Sequence, residues 1–132
     1  MCTIGYCKEL GIIFKNRDKD VSNVINEEIS INNNIVACRT SEADYFSWGM
    51  NKYGCAFVSA AVNTPLWTKL LSERKYEEAE NQYDHENYGL ESPMISISER
   101  LSEVKYAEEW LEELKHSEVL FKGYNLLVAD PK

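Results

Sequence analysis

Two short apolar runs open the chain, at residues 2–7 and 10–14, with Lys8, Glu9 and Gly11 marking a tight connection between them. Runs of that length bounded by turn residues predict an antiparallel hairpin. Pairing about a turn near Lys8 and Glu9 sets Cys2 opposite Lys15, Asn16 or Arg17. Residues 19–34 are polar and rich in Asn, which predicts a loop or irregular crossover. Strand patterning returns at 35–39 and again at 45–50 and 55–62. The last two flank Asn51-Lys52-Tyr53-Gly54, a hairpin connection ending in the Gly that such turns favour. The run 55–62 is almost continuous in small apolar residues, the pattern of a strand covered on both faces. It stops at Asn63-Thr64-Pro65, where Pro ends the ladder.

The character then changes. Residues 72–91 interleave seven acidic residues with Tyr76, Tyr83 and Tyr88, which predicts a solvated helix or a mobile loop. Ser96-x-x-Glu99 has the form of a capping box. Leu101, Val104, Ala107, Trp110, Leu111 and Leu114 follow at helical steps and give one apolar face, with Trp110 read as core. A final apolar strand is predicted at 124–129. Strands before helices, with one strand buried inside the sheet, predict an α+β layered domain. The sequence stops directly after that last strand, with no helix or hairpin following to cover its other side. The expected remedy is a covalent continuation, a second subunit or self-association.

Composition narrows the class. A chain of 132 residues is long enough for a single domain with a real core. Its net charge of −8 argues against sequence-independent binding to nucleic acid or an anionic membrane surface. No apolar run approaches the ~20 residues of a spanning helix, and no signal-peptide pattern opens the chain, so a cytoplasmic protein is expected. Cys2, Cys7, Cys38 and Cys55 lack Cys-x-x-Cys spacing, which disfavours a disulfide framework and structural zinc. Cys7, Cys38 and Cys55 lie in apolar stretches and are read as small buried residues. His85 and His116 sit among polar residues and are read as surface histidines. No cofactor or metal is called for.

Position 2 changes the picture. The chain begins Met1-Cys2-Thr3, and removal of Met1 puts a thiol and a free α-amine on one residue. Their ordinary pKa values, about 8.5 and about 7.7–8.0, bracket the range where one group can deprotonate the other. A single residue then supplies nucleophile and general base, the logic of N-terminal-nucleophile catalysis.

Four segments recur, in this order, in one known group of enzymes: Met1-Cys2-Thr3, Lys15-Asn16-Arg17-Asp18, Gly49-Met50-Asn51-Lys52-Tyr53-Gly54, and Val62-Asn63-Thr64-Pro65. Together they resemble the N-terminal half of choloylglycine hydrolases, penicillin V acylases and the related acyl-CoA:6-aminopenicillanic acid acyltransferases. The closing stretch from Gly123 to Asp130 is similar to the strand after the helical layer in the acyltransferase branch. The resemblance implies an N-terminal-nucleophile (Ntn) amide hydrolase with an αββα sandwich, of which these residues would form part. It implies Cys2 as nucleophile, its α-amine as base, Asp18 as the carboxylate holding that amine, and Asn63 as an oxyanion donor. The family pattern Arg-Asn-x-Asp has Lys15 in its first place here, with Arg17 at the intervening position. A related branch with an Asn-Arg-Asp run uses the Arg17 position, so either cation fits the role. A further Asn and Arg of the family site would lie beyond the end of this chain.

The implied roles are chemically coherent. A cation beside a cysteine favours thiolate, a carboxylate steadies an α-ammonium during proton transfer, and one side-chain donor to an oxyanion is worth ~3 kcal/mol of barrier. Singly, Asn63 reads as a turn residue and Asp18 as a surface ion pair; Cys2 tips both towards function. The expected activity is cleavage of a small-molecule amide through a Cys2 acyl-enzyme, by hydrolysis or by acyl transfer. The alternative is a non-catalytic or half-site subunit that needs a partner chain. Tyr45, Phe46, Trp48 and Trp67 are candidates for an acyl pocket, although aromatics of this kind are more often core.

Overall fold

The structure is a computed structural model that describes residues 2–17, 26–40, 43–62 and 64–132, with only the main chain described at Arg17. The hairpin at the N-terminus forms as the pattern predicts. Strands β1 (Cys2–Cys7) and β2 (Ile12–Arg17) pair antiparallel, with Cys2 opposite Arg17 and Ile4 opposite Lys15. A second, five-stranded antiparallel sheet has the order β3-β4-β5-β6-β7. Its strands are β3 (Glu27–Ile31), β4 (Ile35–Thr40), β5 (Trp48–Asn51), β6 (Ala56–Ala61) and β7 (Tyr124–Ala129).

Strand β3 corrects the expectation of an irregular 19–34. Its residues alternate Glu27, Glu28, Ile29, Ser30, Ile31, and Ile29 and Ile31 stay well exposed at 62% and 74%. It forms an edge, where pairing to one neighbour suffices and no buried face imposes an apolar pattern. Residues 19–25 lie outside the described set. The strand expected over 45–50 is shorter, because Ser47 leaves the ladder: its N–H donates to Cys38 O at 2.7 Å and its carbonyl accepts from Ser59 N at 3.1 Å.

Strand β6 is buried along most of its length, as its small apolar residues foretold. Its two faces serve two layers. Cys55 and Phe57 join Ala37, Met94, Ile97, Leu101, Val104 and Trp110 in the main core. Ala56, Val58 and Ala60 alternate onto the opposite side and are also buried, and the β1–β2 hairpin packs against this strand. The result is helices on one side of the large sheet and a two-stranded sheet on the other. This is an α+β architecture with antiparallel sheets and a helical layer.

Four helices are described: α1 (Pro65–Ser72), α2 (Tyr76–Glu86), α3 (Pro93–Arg100) and α4 (Ala107–Lys115). Pro65 does end the ladder, and it does so by starting α1, with Thr64 Oγ1 accepting from Trp67 N at 3.3 Å. Helix α2 is the solvated helix of the acidic region, burying only Ala79. The apolar stripe at 101–114 does not belong to one helix. It is split by a turn between α3 and α4 that still buries Leu101 and Val104, while Leu111 is 46% exposed. Helix spacing survives the break because the turn lies over the same core. The cap also differs from expectation: Ser92, not Ser96, caps α3 by accepting from Met94 N at 3.3 Å. At α4 the Glu109 carboxylate accepts from Lys105 N and Tyr106 N, both at 2.9 Å, and Asp130 accepts from Ala107 N at 2.7 Å.

Two positions tie the layers together. Phe57 meets Trp110 edge-on, ring centres 5.7 Å apart, and Trp110 Nε1 donates to Ile97 O at 3.2 Å. At Gly49 the helical layer approaches so closely that a Cβ would lie 2.8 Å from Leu101 Cδ2. Strand β7 is better covered than its place at the end of the sequence suggested. It pairs with β6 along its full length, Tyr124, Leu126 and Val128 pack on the helical core, and β1 touches it from the other layer.

Candidate functional site

The antiparallel order brings several chain segments to one end of the large sheet. There β4 and β6 finish, at Thr40 and Ala61, and β5 and β7 begin, near Ser47 and at Tyr124. The open end of the hairpin arrives at the same place. A cavity of about 290 Å³ results, lined by Cys2 and Lys15 from the hairpin, by Thr40, Ala43, Tyr45, Ser47, Ser59, Ala61 and Tyr124 around the sheet, and by Tyr83 from α2. That volume sits at the small end of ligand pockets.

Cys2 and Lys15 share the cavity because of strand parity. Directly opposed residues of an antiparallel pair project to the same face, and Ile4, two residues on from Cys2, is the partner of Lys15. The two positions therefore lie on one face of the hairpin, one step apart along the strands. Cys2 is partly buried. Main-chain pairing sets Arg17 across from Cys2. Asp18 and Asn63 lie outside the described residues.

The sheet side of the cavity is built from hydroxyls. Ser59 is the polar interruption in the apolar run 55–62, and its Oγ donates to Ser47 O at 3.0 Å while Ser47 Oγ donates to Cys38 O at 3.3 Å. Each serine thereby spends its proton on the main chain and fixes the irregular start of β5. Tyr124 Oη lies 3.1 Å from Tyr45 Oη, and either phenol can be the donor. Burial pushes the Tyr124 phenol well above its ordinary pKa, so it stays protonated. Tyr83 is held by a tilted stack on Trp67, ring centres 6.0 Å apart. Helix α2 is anchored in turn where Thr64 Oγ1 donates to Glu86 Oε2 at 2.8 Å.

Among the aromatic candidates, Tyr45 reaches the cavity, whereas Phe46 packs on the core and Trp67 supports Tyr83. Tyr83, Tyr124, Ser47 and Ser59 were not legible as site residues. The one available signal was Ser59, a polar residue within a doubly covered strand. Of the remaining cysteines, Cys38 and Cys55 are buried as expected. Burial first, then Asp130 and Glu109, raise the Cys55 thiol. Cys7 departs from expectation: it is only half-buried, with its thiol 3.5 Å from Glu9 Oε2, because it sits beside the exposed turn of the hairpin. His85 and His116 are exposed, and no helix among the described residues is long and apolar enough to cross a membrane. No family model, curated protein or solved structure matches the chain.

Proposed function

We propose that the chain is an Ntn amide hydrolase or acyltransferase acting on a small amide, with Cys2 as nucleophile once Met1 is removed. The observation that carries this reading is the meeting of Cys2 and Lys15 in one small cavity, at the open end of a hairpin packed on a five-stranded sheet. Helices, large sheet and second sheet stack in the order that an αββα sandwich requires of its first three layers, which supports the resemblance beyond the N-terminal motif.

The chemistry runs through one residue. The α-amine takes the Cys2 thiol proton, and the thiolate adds to the amide carbonyl carbon. Lys15, or Arg17 from the paired position, favours the thiolate by its charge. The carbonyl oxygen becomes an oxyanion, for which Asn63 supplies a side-chain donor. Collapse breaks the C–N bond, and the α-ammonium, steadied by Asp18, gives its proton to the departing amine. Water or an acceptor amine then attacks the thioester, with the α-amine again receiving the proton and Cys2 leaving as the thiol. The reaction needs no cofactor and fits a cytoplasmic protein.

A second reading has its own observation. On the side of the hairpin away from the sheet, Ile12 and Phe14 are 48% and 47% exposed, an apolar surface that a further layer would cover. On this reading the chain is a half-site subunit, completed by self-association or by a complementary partner chain.

Intact-mass measurement of protein made in cells should show loss of Met1. Incubation with an activated acyl amide should then add one acyl mass that maps to Cys2 and is absent from Cys2→Ala. Retention of Met1 throughout, or acylation that survives in Cys2→Ala, would remove the basis for the mechanism.

A further inference from the structure

Helices α1 and α2 are joined to the fold differently from α3 and α4. Residues 64–90 supply no member of the main core and no side chain packed against it. Ala79 is their only buried residue, whereas α3 and α4 bury Pro93, Met94, Ile97, Ala107 and Trp110. Among the described residues, their hydrogen bonds close within the segment. Thr64 Oγ1 donates to Glu86 Oε2 at its far end, Gln82 Nε2 donates to Glu86 Oε1 at 2.7 Å, and Asn87 N donates to Tyr83 O at 3.0 Å. The ion pairs of Lys69 and Lys75 with Glu73 do the same.

The segment stands on two adjacent feet. Just before it, Val62 N donates to Gly123 O at 3.0 Å. Just after it, Glu91 N donates to Leu120 O at 2.9 Å and Glu91 O accepts from Lys122 N at 2.8 Å. Both ends are therefore fixed to one stretch, 120–123, which leads into β7. The Thr64–Glu86 bond latches the two legs together beyond those feet. The outgoing leg is a turn, Asn87–Gly89, in which Gly89 has φ +74° and open space where a Cβ would lie. A glycine in an exposed turn changes its backbone angles at little cost.

One side chain carries the segment into the cavity beside Cys2. Tyr83 is its single contribution to the lining, stacked on Trp67 of α1 and with Lys122 Nζ 5.4 Å from its ring centre. A unit with few buried apolar side chains and with bonds that close on themselves opens well below the free energy of global unfolding. Helices of eight and eleven residues are also too short to persist once detached.

We infer that residues 64–90 form a lid on the cavity, which lifts from its two feet as a unit while Tyr83 clears the way to Cys2. The inference concerns access to the Cys2 thiol and stands apart from the amide-cleavage reading.

Hydrogen exchange of the native chain, followed by mass spectrometry, tests the mobility. Amides of 65–86 should exchange together and at least about tenfold faster than those of α3 and α4, after correction for intrinsic rates. Equal protection in the two helix pairs would overturn the inference. Thiol labelling tests the gate, with N-ethylmaleimide as the small probe and fluorescein maleimide as the bulky one. Cys7 is the internal reference, since it lies beside the exposed turn at the opposite end of the hairpin from Cys2. Relative to Cys7, Cys2 should lose at least about tenfold in labelling rate when the bulky reagent replaces the small one. Tyr83→Ala should restore most of that loss and leave the urea midpoint within error of the parent's. A penalty at Cys2 that is absent from the parent, or unaltered in Tyr83→Ala, would refute the gate. A midpoint lowered as far as in the core truncation Ile97→Ala would refute the lid, by placing α2 within the cooperative core.

Discussion

Asn51 is the joint on which the site's scaffold turns, and truncating it should cost more than any other single polar change. Its side chain is 5% exposed and makes four hydrogen bonds. Nδ2 donates to Leu101 O at 2.9 Å and to Val104 O at 2.6 Å, binding the turn between α3 and α4. Oδ1 accepts from Tyr53 N at 2.9 Å and Cys55 N at 3.1 Å, shaping the β5–β6 connection. In Asn51→Ala the Tyr53 N–H can turn to water, since Tyr53 is 39% exposed. The partners at Cys55, Leu101 and Val104 belong to residues at 0–1% exposure and have no such recourse. Three orphaned groups at roughly 1–3 kcal/mol each, discounted for local relaxation, give a loss of about 4 kcal/mol. That is a large share of the roughly 5–15 kcal/mol that holds a domain together. With a urea slope of about 1.5–2 kcal/mol/M, the unfolding midpoint should fall by about 2–3 M. Fluorescence of the buried Trp110 reports the transition. A midpoint shift equivalent to less than about 1 kcal/mol, with the slope unchanged, would show that the two turns hold each other by packing alone.

Two further outcomes follow from burial. Brief iodoacetamide treatment of the native protein should leave buried Cys38 and Cys55 protected and, of the two half-buried thiols, label Cys2 beside Lys15 ahead of Cys7 beside Glu9; peptide mapping checks the order, and slower labelling of Cys2 than of Cys7 would count against an activated thiol. Because burial raises the Tyr124 phenol, its neutral form is favoured in the fold; the stability it contributes is complete below the unfolded value of about 10 and declines as pH rises above it. Urea midpoints between pH 8 and 11 should fall more steeply in the parent chain than in Tyr124→Phe, and parallel curves would contradict the assignment.

Much of the scaffold was written locally. The hairpin 2–17, the doubly covered β6 and the final strand follow from runs of apolar residues and the turns between them, because a strand's period is fixed by its own backbone. The pairing of Cys2 with the 15–17 stretch came from the same source, since hairpin pairing is set by the position of the turn, and the structure selects Arg17 from the three. Where the sequence misled, the cause was non-local. Glu27–Ile31 carries only a brief Ile-Ser-Ile alternation and buries neither Ile, because an edge strand needs only one neighbour, and that neighbour is β4. The stripe from Leu101 to Leu114 reads as one helix because both pieces cover one core, and the break between them is stabilised by Asn51, fifty residues earlier.

The candidate site divides along the same line. Cys2 and its α-amine are chemistry that one residue carries, so the sequence alone named the nucleophile to test and the two cations, Lys15 and Arg17, that could stand beside it. The hydroxyl wall opposite could not be read in that way. Ser47, Ser59, Tyr83 and Tyr124 are scattered over nearly eighty residues, and of the wall only Tyr45 stood out as a pocket candidate. Only the antiparallel order of the sheet, which returns β4 and β6 to the end where β5 and β7 begin, gathers them around one cavity. Tyr45 and Tyr124 can share a hydrogen bond only once they are within reach of one another, and that reach is a property of the tertiary fold.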